Sequence, residues 1–191
     1  MPLLPRVAMP WRRKEKAAEK LYGAIVARAR LPIFYQEFGV PDTLEGRFVV
    51  LSLNLFSVLH RLKGEGNAAA GLLQELADRF KDDMETVLRE LGVSDLRIPK
   101  KMRGLAASSA ALLQAYERAF ATGEGALAKT IADALPLEAE AARAAGTHLA
   151  HYVAESIRSL EKEPFAASCR HAQLSGDLPR SSREEVDEPR D

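Results

Sequence analysis

The run from Phe48 to Leu59, FVVLSLNLFSVL, constrains the fold of this chain more than any other segment. In a helix running from about Asp42 to Lys63, its apolar side chains would nearly encircle the axis, and such a helix must be surrounded by protein. The run contains three polar residues and is far shorter than the roughly 20 apolar residues that span a bilayer. We therefore predict a buried helix at the centre of a helical bundle.

The other periodic segments predict helices that pack around this one. Apolar residues recur at steps of three and four, and the predicted helices are 11–30, 68–91, one from 99 to the break TGEG at 122–125, 126–135 and 136–162. Gly92 is expected to end the second of these in a left-handed conformation, and Pro99 suits a first helical turn. No segment alternates as a strand does. The predicted fold class is all-α, a single-domain helical bundle of about six helices.

Length and composition set the expected domain organisation. A chain of 191 residues is about the size of one domain. We expect a flexible leader over residues 1–11, the all-α domain over 12–165 and a disordered tail over 166–191, because the tail lacks periodicity and apolar mass. The 27 basic and 27 acidic residues cancel, so no overall field would attract nucleic acid. A single cysteine, Cys169, excludes an internal disulfide and is consistent with a cytoplasmic location.

The search for catalytic groups yields one metal hypothesis and no catalytic motif. His148, His151 and Glu155 share one face of the last helix and could supply part of a metal site. No second pair of ligands stands out elsewhere, and the sequence has no phosphate-binding glycine loop, nucleophile elbow or dinucleotide fingerprint. We expect a protein that is not an enzyme and binds no metal or cofactor, with a helical-bundle metalloenzyme as an alternative.

Two basic clusters are candidates for contact with a membrane or another acidic surface. The first crowds the predicted start of a helix, where the positive end of the helix dipole opposes cations, so stability alone does not explain it. The second surrounds a tryptophan near the N-terminus, as in peripheral membrane helices. Plain solvated clusters are the alternative. The candidate residues are Arg97, Lys100, Lys101 and Arg103 in the first cluster, and Trp11, Arg12 and Arg13 in the second.

An aromatic corner, RLPIFYQEFGVPDTLEGRF, separates the first two long helices. Pro32 and Pro41 restrict its backbone, and Gly39 permits a turn. Asp42 can cap the helix that follows, with Glu45 returning the bond in a capping box. The aromatic rings of the corner can either wedge between helices or face a partner, and the pattern does not decide between the two.

The order of residues resembles the ubiquinol-cytochrome c chaperone family in its alphaproteobacterial form. The resemblance covers residues 20–122. Its most specific part is the GVPDT..GRF element at Gly39 to Phe48, and the segment LGVSDLRIPKKM is second. It implies a non-enzymatic helical chaperone that binds newly made cytochrome b and supports biogenesis of respiratory complex III, in the cytoplasm or peripherally at the inner membrane. Family members usually have a histidine where this chain has Asn54.

Under that resemblance, the corner becomes the expected contact site for the client protein. Its aromatic rings would cover apolar surface of a client helix, while the lysines of the first basic cluster would meet acidic headgroups or client loops. The expected client-binding residues are Phe34, Tyr35, Asp42, Thr43, Arg47 and Phe48.

A different class of function is a helical DNA-binding regulator of the TetR type, because IFYQEF before a long helix is similar to an element of that family. Such a protein needs a helix-turn-helix motif upstream, and only about thirty residues precede this element. The absence of net charge also disfavours DNA as a partner.

Overall fold

A computed structural model describes residues 10–66 and 69–162, which form helices and no strand. Six helices have eleven residues or more, and a single turn lies between the first two of them. They are α1 (Pro10–Ala29), the turn α2 (Ile33–Gln36), α3 (Leu44–Lys63), α4 (Ala70–Glu90), α5 (Ile98–Thr122), α6 (Glu124–Ala134) and α7 (Ala139–Lys162). The predicted all-α class is confirmed. The tail predicted over 166–191 lies outside the described residues.

Helix α3 lies at the centre of the bundle, as its all-round apolar pattern predicts. It packs against α1, α4, α5 and α7. Leu53 and Phe56 belong to a core shared with the corner and α5 to α7, whereas Leu55 and Leu62 belong to a second core with α1 and α4. Leu51 contacts both of these cores and a third, smaller one between α4 and α5. The three cores are therefore joined through one helix.

The most extensive helix pair is α6 with α7, which pack closely because α7 presents small residues to its neighbour. A Cβ atom added at Gly146 would lie 2.5 Å from the carbonyl oxygen of Ala128 and 3.1 Å from the Cβ of Ala132. Only glycine permits this approach. The inward stripe of α7 includes Ala142 and Ala145, which are buried.

The end of α4 follows the prediction. Gly92 has φ = 75°, which is the left-handed region that favours glycine. Its amide donates to Arg89, and the amide of Val93 donates to Leu88, which is the pair of bonds of a Schellman motif. Val93 packs against the small third core. The loop to α5 is therefore closed tightly, and Pro99 lies in the first turn of α5.

None of the helices in the described residues is both long and apolar enough to cross a membrane. The structure also lacks the upstream motif that a TetR-like regulator requires, since α1 is the one helix in residues 10–32 and IFYQ forms only the single turn α2.

Candidate functional site

Two aromatic rings of the corner between α1 and α3, those of Phe34 and Phe38, are buried in the protein. Phe34 has no exposed surface and meets the ring of Tyr152 edge to face at 4.9 Å. Phe38 is also buried and lies against Phe34 and the ring of His148. Phe34 therefore belongs to the core, and its expected role in client contact is corrected: burial removes its ring from any partner.

The start of α3 differs by one residue from the prediction. Thr43, not Asp42, is the N-cap, and its hydroxyl accepts a hydrogen bond of 3.2 Å from the amide of Gly46. Asp42 is exposed and accepts a hydrogen bond of 2.5 Å from the Nε of Arg47. This hydrogen bond lowers the pKa of Asp42 below its ordinary value. The two residues form an ion pair at the surface of the corner.

An open apolar groove of about 530 Å³ lies beside this corner, between α1, α3, α4 and α5. A volume of this size is in the range of pockets that take a ligand or side chains of a partner. Of the expected client-binding residues, the groove brings together Tyr35, Arg47 and Phe48. The apolar side chains that line it are Val26, Leu44, Phe48, Val49, Leu51, Met84, Val87, Leu88, Leu91, Leu105 and Leu112.

The polar groups around the groove are few and largely engaged. The hydroxyl of Tyr35 donates to the carbonyl oxygen of Ala29 at 2.8 Å. The carboxylate of Asp83 accepts a hydrogen bond of 2.9 Å from the hydroxyl of Tyr22, which joins α1 to α4. These bonds leave the groove with an apolar floor and satisfy Tyr35 and Asp83 within the protein. Arg30 and Glu45 also line the groove, as exposed charged groups. Apolar side chains bound on the floor would therefore leave neither Tyr35 nor Asp83 unpaired.

The wall of this groove that α4 contributes was not predicted from the sequence. The side chains of Met84, Val87 and Leu88 on α4 were expected in the core because they follow its apolar stripe. They lie beneath or along the groove, and Val87 and Leu88 are only half-buried. Leu44 and Leu91, which are 52% and 59% exposed, also line it. Periodicity identifies the inward face of a helix but not whether another helix covers all of it.

The first basic cluster lies at the start of α5, and the residues that line the groove do not include it. Arg97, Lys100, Lys101 and Arg103 are all exposed. The second cluster falls in the first turn of α1, where the backbone is helical but the side chains of Trp11, Arg12 and Arg13 lie outside the described residues.

The two histidines of α7 lie beside an aromatic ring and a single carboxylate, not beside a set of metal ligands. His148 lies against Phe38, and Nδ1 of His151 lies 3.3 Å from a carboxylate oxygen of Glu124 on α6. In residues 10–66 and 69–162 no three side chains of histidine, cysteine, aspartate or glutamate are arranged to hold a metal ion. The metalloenzyme alternative has no support in this part of the chain.

Asn54 occupies the position at which the resemblance has a histidine. Its side chain is buried, with 3% exposure, and faces α7. Its Nδ2 donates to the carbonyl oxygen of Val50 at 2.9 Å, and its Oδ1 accepts from the hydroxyl of Tyr152 at 2.6 Å. In this chain position 54 is a link between helices, and a client cannot reach it.

Comparison with known proteins agrees with the resemblance and extends it. The family model of the ubiquinol-cytochrome C chaperone matches residues 36–168, which adds α6 and α7 to the segment recognised from the sequence. A Xenopus laevis protein, ubiquinol-cytochrome-c reductase complex assembly factor 1, is 24% identical over 115 residues. The match covers 60% of this chain and spans 58% of the relative's length.

A solved structure is similar over most of its length. The crystal structure of the Cbp3 homolog from Brucella abortus has 37% sequence identity and a TM-score of 0.71, covering 83% of this chain and 87% of that one. The family match begins at residue 36, so it includes the later part of the corner, the groove-lining parts of α3 to α5 and the α6–α7 pair. The chain belongs to the ubiquinol-cytochrome c chaperone family.

Proposed function

We propose that this protein is an assembly chaperone for ubiquinol-cytochrome c reductase, respiratory complex III, and that its client is newly made cytochrome b. Membership of the chaperone family supports a non-enzymatic role. The assembly function named for the Xenopus relative supports the choice of complex. Cytochrome b is the part of the proposal that comes from the sequence resemblance.

The observation that carries the proposal is the open apolar groove. A membrane-protein client exposes apolar helix surface until it is inserted and assembled. Leu44 and Leu91 are each more than half exposed although they line the groove, so they offer surface that the described part of the chain does not cover. Covering such surface with client side chains gains about 25 cal/mol for each Å² of apolar area removed from water.

The corner gives this groove one defined edge. Phe48 and Tyr35 contribute half-buried rings to the lining. Arg47 lies at the rim in its ion pair with Asp42, and the cap made by Thr43 fixes the first turn of α3 beneath them. Tyr35, Asp42, Thr43, Arg47 and Phe48 thus stay in the proposed contact site, in which the aromatic rings meet apolar client surface and the ion pair meets polar client groups.

The experiment that tests this proposal is photo-crosslinking in cells that lack the native protein. A photo-reactive amino acid replaces Leu44 in the groove, and the matched control carries it at Glu140, which is exposed on α7 and outside the groove. Mass spectrometry is expected to find cytochrome b enriched with the groove probe over the control. The deletion strain is expected to have less assembled complex III. The proposal would be ruled out if complex III assembled normally in that strain and no cytochrome b were crosslinked to the probe at position 44.

A further inference from the structure

The turn between α4 and α5 exposes the most accessible large apolar side chain in the described part of the chain. We call residues 91–103 the α4–α5 apex. Leu96 is 94% exposed there, and Leu91 is 59% exposed at the beginning of the same turn. Leu91 lines the client groove, but Leu96 does not. The exposure of Leu96 needs another explanation, which its neighbours provide.

The apex is also strongly basic. Arg97, Lys100, Lys101 and Arg103 are all exposed, and none forms an ion pair with a side chain in residues 17–66 or 69–162. Residues 96–116 contain these four bases and no acid, although the whole chain has equal numbers of both. The positive charge of the apex is therefore local and uncompensated within its own helix.

Two of the nearby carboxylates are already engaged. One nitrogen of the Arg89 guanidinium lies 2.6 Å from Asp95, and another lies 2.8 Å from Glu85. Asp95, the one acid of the apex, is thus paired with Arg89 rather than with any of the four cations. Those cations stay available to an outside anion.

The apex is held on a small core of its own. Ile98 and Met102 are buried against Met84 of α4. At 100° per residue, Lys100 lies on the side of α5 opposite to those two anchors, and Arg103 lies about 120° from their mean direction. The Schellman turn at Gly92 fixes the approach from α4. The exposed leucine and the exposed cations are therefore carried on a fixed base.

We infer that the α4–α5 apex docks on the surface of a bilayer that contains anionic phospholipid. The cations would lie over the lipid phosphates, and Leu96 would enter the boundary between headgroups and acyl chains, as in other peripheral contacts. Nucleic acid offers similar phosphates but would gain nothing from an exposed leucine, which favours lipid. The apex adjoins the client groove at Leu91, which lines the groove, so this contact would hold the groove close to the membrane.

Flotation of the full-length protein with vesicles tests the inference. Binding is expected to vesicles of equal parts phosphatidylcholine and phosphatidylglycerol but not to phosphatidylcholine alone, and it should weaken as salt is added. Replacing Lys100→Glu and Lys101→Glu together is expected to weaken binding by at least about tenfold. Leu96→Asp, at a side chain that packs on nothing, should weaken it several-fold.

The matched control reverses two other exposed lysines, Lys81→Glu and Lys162→Glu, and makes the same change in net charge. It is expected to bind like the unaltered protein, and circular dichroism shows whether each variant is folded. Equal binding to both vesicle types, or equal losses in the two double variants, would overturn the inference. So would tighter binding to a single-stranded RNA than to the anionic vesicles with no effect of Leu96→Asp.

Discussion

The hydroxyl of Tyr152 on α7 donates a hydrogen bond of 2.6 Å to Oδ1 of Asn54 on α3, inside the core. The same hydroxyl accepts a hydrogen bond of 2.6 Å from Nε of Arg28 on α1. Three helices that are distant in sequence are thus joined at one oxygen atom. Since both α1 and α3 line the client groove, this link fixes two of its walls relative to each other.

Asn54→Ala and Tyr152→Phe are each expected to lower the free energy of unfolding by about 1 to 3 kcal/mol, because each leaves a buried polar group without its partner. The two changes remove the same hydrogen bond. The double variant should therefore lose at least about 0.5 kcal/mol less than the sum of the single variants. Urea unfolding followed by circular dichroism measures this double-mutant cycle, and additive losses would show that the bond couples nothing.

Tyr116 is a contrasting tyrosine, and its replacement should have the opposite effect. Its side chain is fully buried against Phe56, yet its hydroxyl has no hydrogen-bond partner within the residues that the structure describes. Tyr116→Phe removes an unsatisfied polar group from the core and is expected to raise the free energy of unfolding by about 1 kcal/mol. The same unfolding assay compares it with Tyr152→Phe. A loss of stability in Tyr116→Phe would mean that its hydroxyl has a partner after all.

The buried tyrosines also predict how stability depends on alkaline pH. Burial raises the pKa of Tyr22, Tyr116 and Tyr152 above the ordinary value of about 10. Above that pH the unfolded chain loses phenolic protons that the folded chain keeps, so the stability that is complete below about pH 10 falls as pH rises further. Urea unfolding at rising pH measures the decline. Tyr116→Phe should make the decline of the free energy of unfolding with pH shallower. An unchanged decline would contradict the contribution assigned to Tyr116.

Gly46 lies within the GRF part of the corner and packs against backbone. A Cβ atom there would lie 2.1 Å from the carbonyl oxygen of Pro41, whereas a Cβ at Gly23 in α1 meets nothing within 4 Å. Gly46→Ala is therefore expected to cost about 1 to 3 kcal/mol or more. Gly23→Ala, its control, should gain up to about 1 kcal/mol from helix propensity. Thermal unfolding distinguishes them, and similar shifts in both would show that the corner can relax around a methyl group.

Local chemistry explains why most of the fold was predictable from sequence. Gly92 marks the end of α4, Pro99 lies in the first turn of α5, and the all-round apolar pattern places α3 at the centre of the bundle. The cap of α3 was misplaced by one residue because Asp42 and Thr43 are neighbouring cap formers. In the structure Thr43 is the N-cap and binds the amide of Gly46. Gly46 also packs against the carbonyl oxygen of Pro41, a contact that the local sequence pattern does not reveal.

The site was less predictable because it depends on contacts between distant segments. Phe34 and Tyr35 are adjacent aromatics in a single turn, too short for periodicity to show that one is buried and the other lines a groove. Asn54 and Tyr152 are separated by 98 residues, and nothing in either local pattern connects them. The groove itself arises where α4 and α5 leave the inward face of α3 partly uncovered, which is a property of their packing.

One pair of matched variants separates the two proposed surfaces. Leu44→Asp places a charge in the groove at the first residue of α3, where the helix dipole favours an acid and the fold is preserved. Leu96→Asp makes the same change on the apex. In detergent, Leu44→Asp should reduce co-purification of cytochrome b several-fold, because an apolar client that covers the groove must remove the new carboxylate from water. Leu96→Asp should leave this co-purification unchanged. With anionic vesicles the order should reverse. If one variant lost both activities and the other neither, client and membrane would share a single surface.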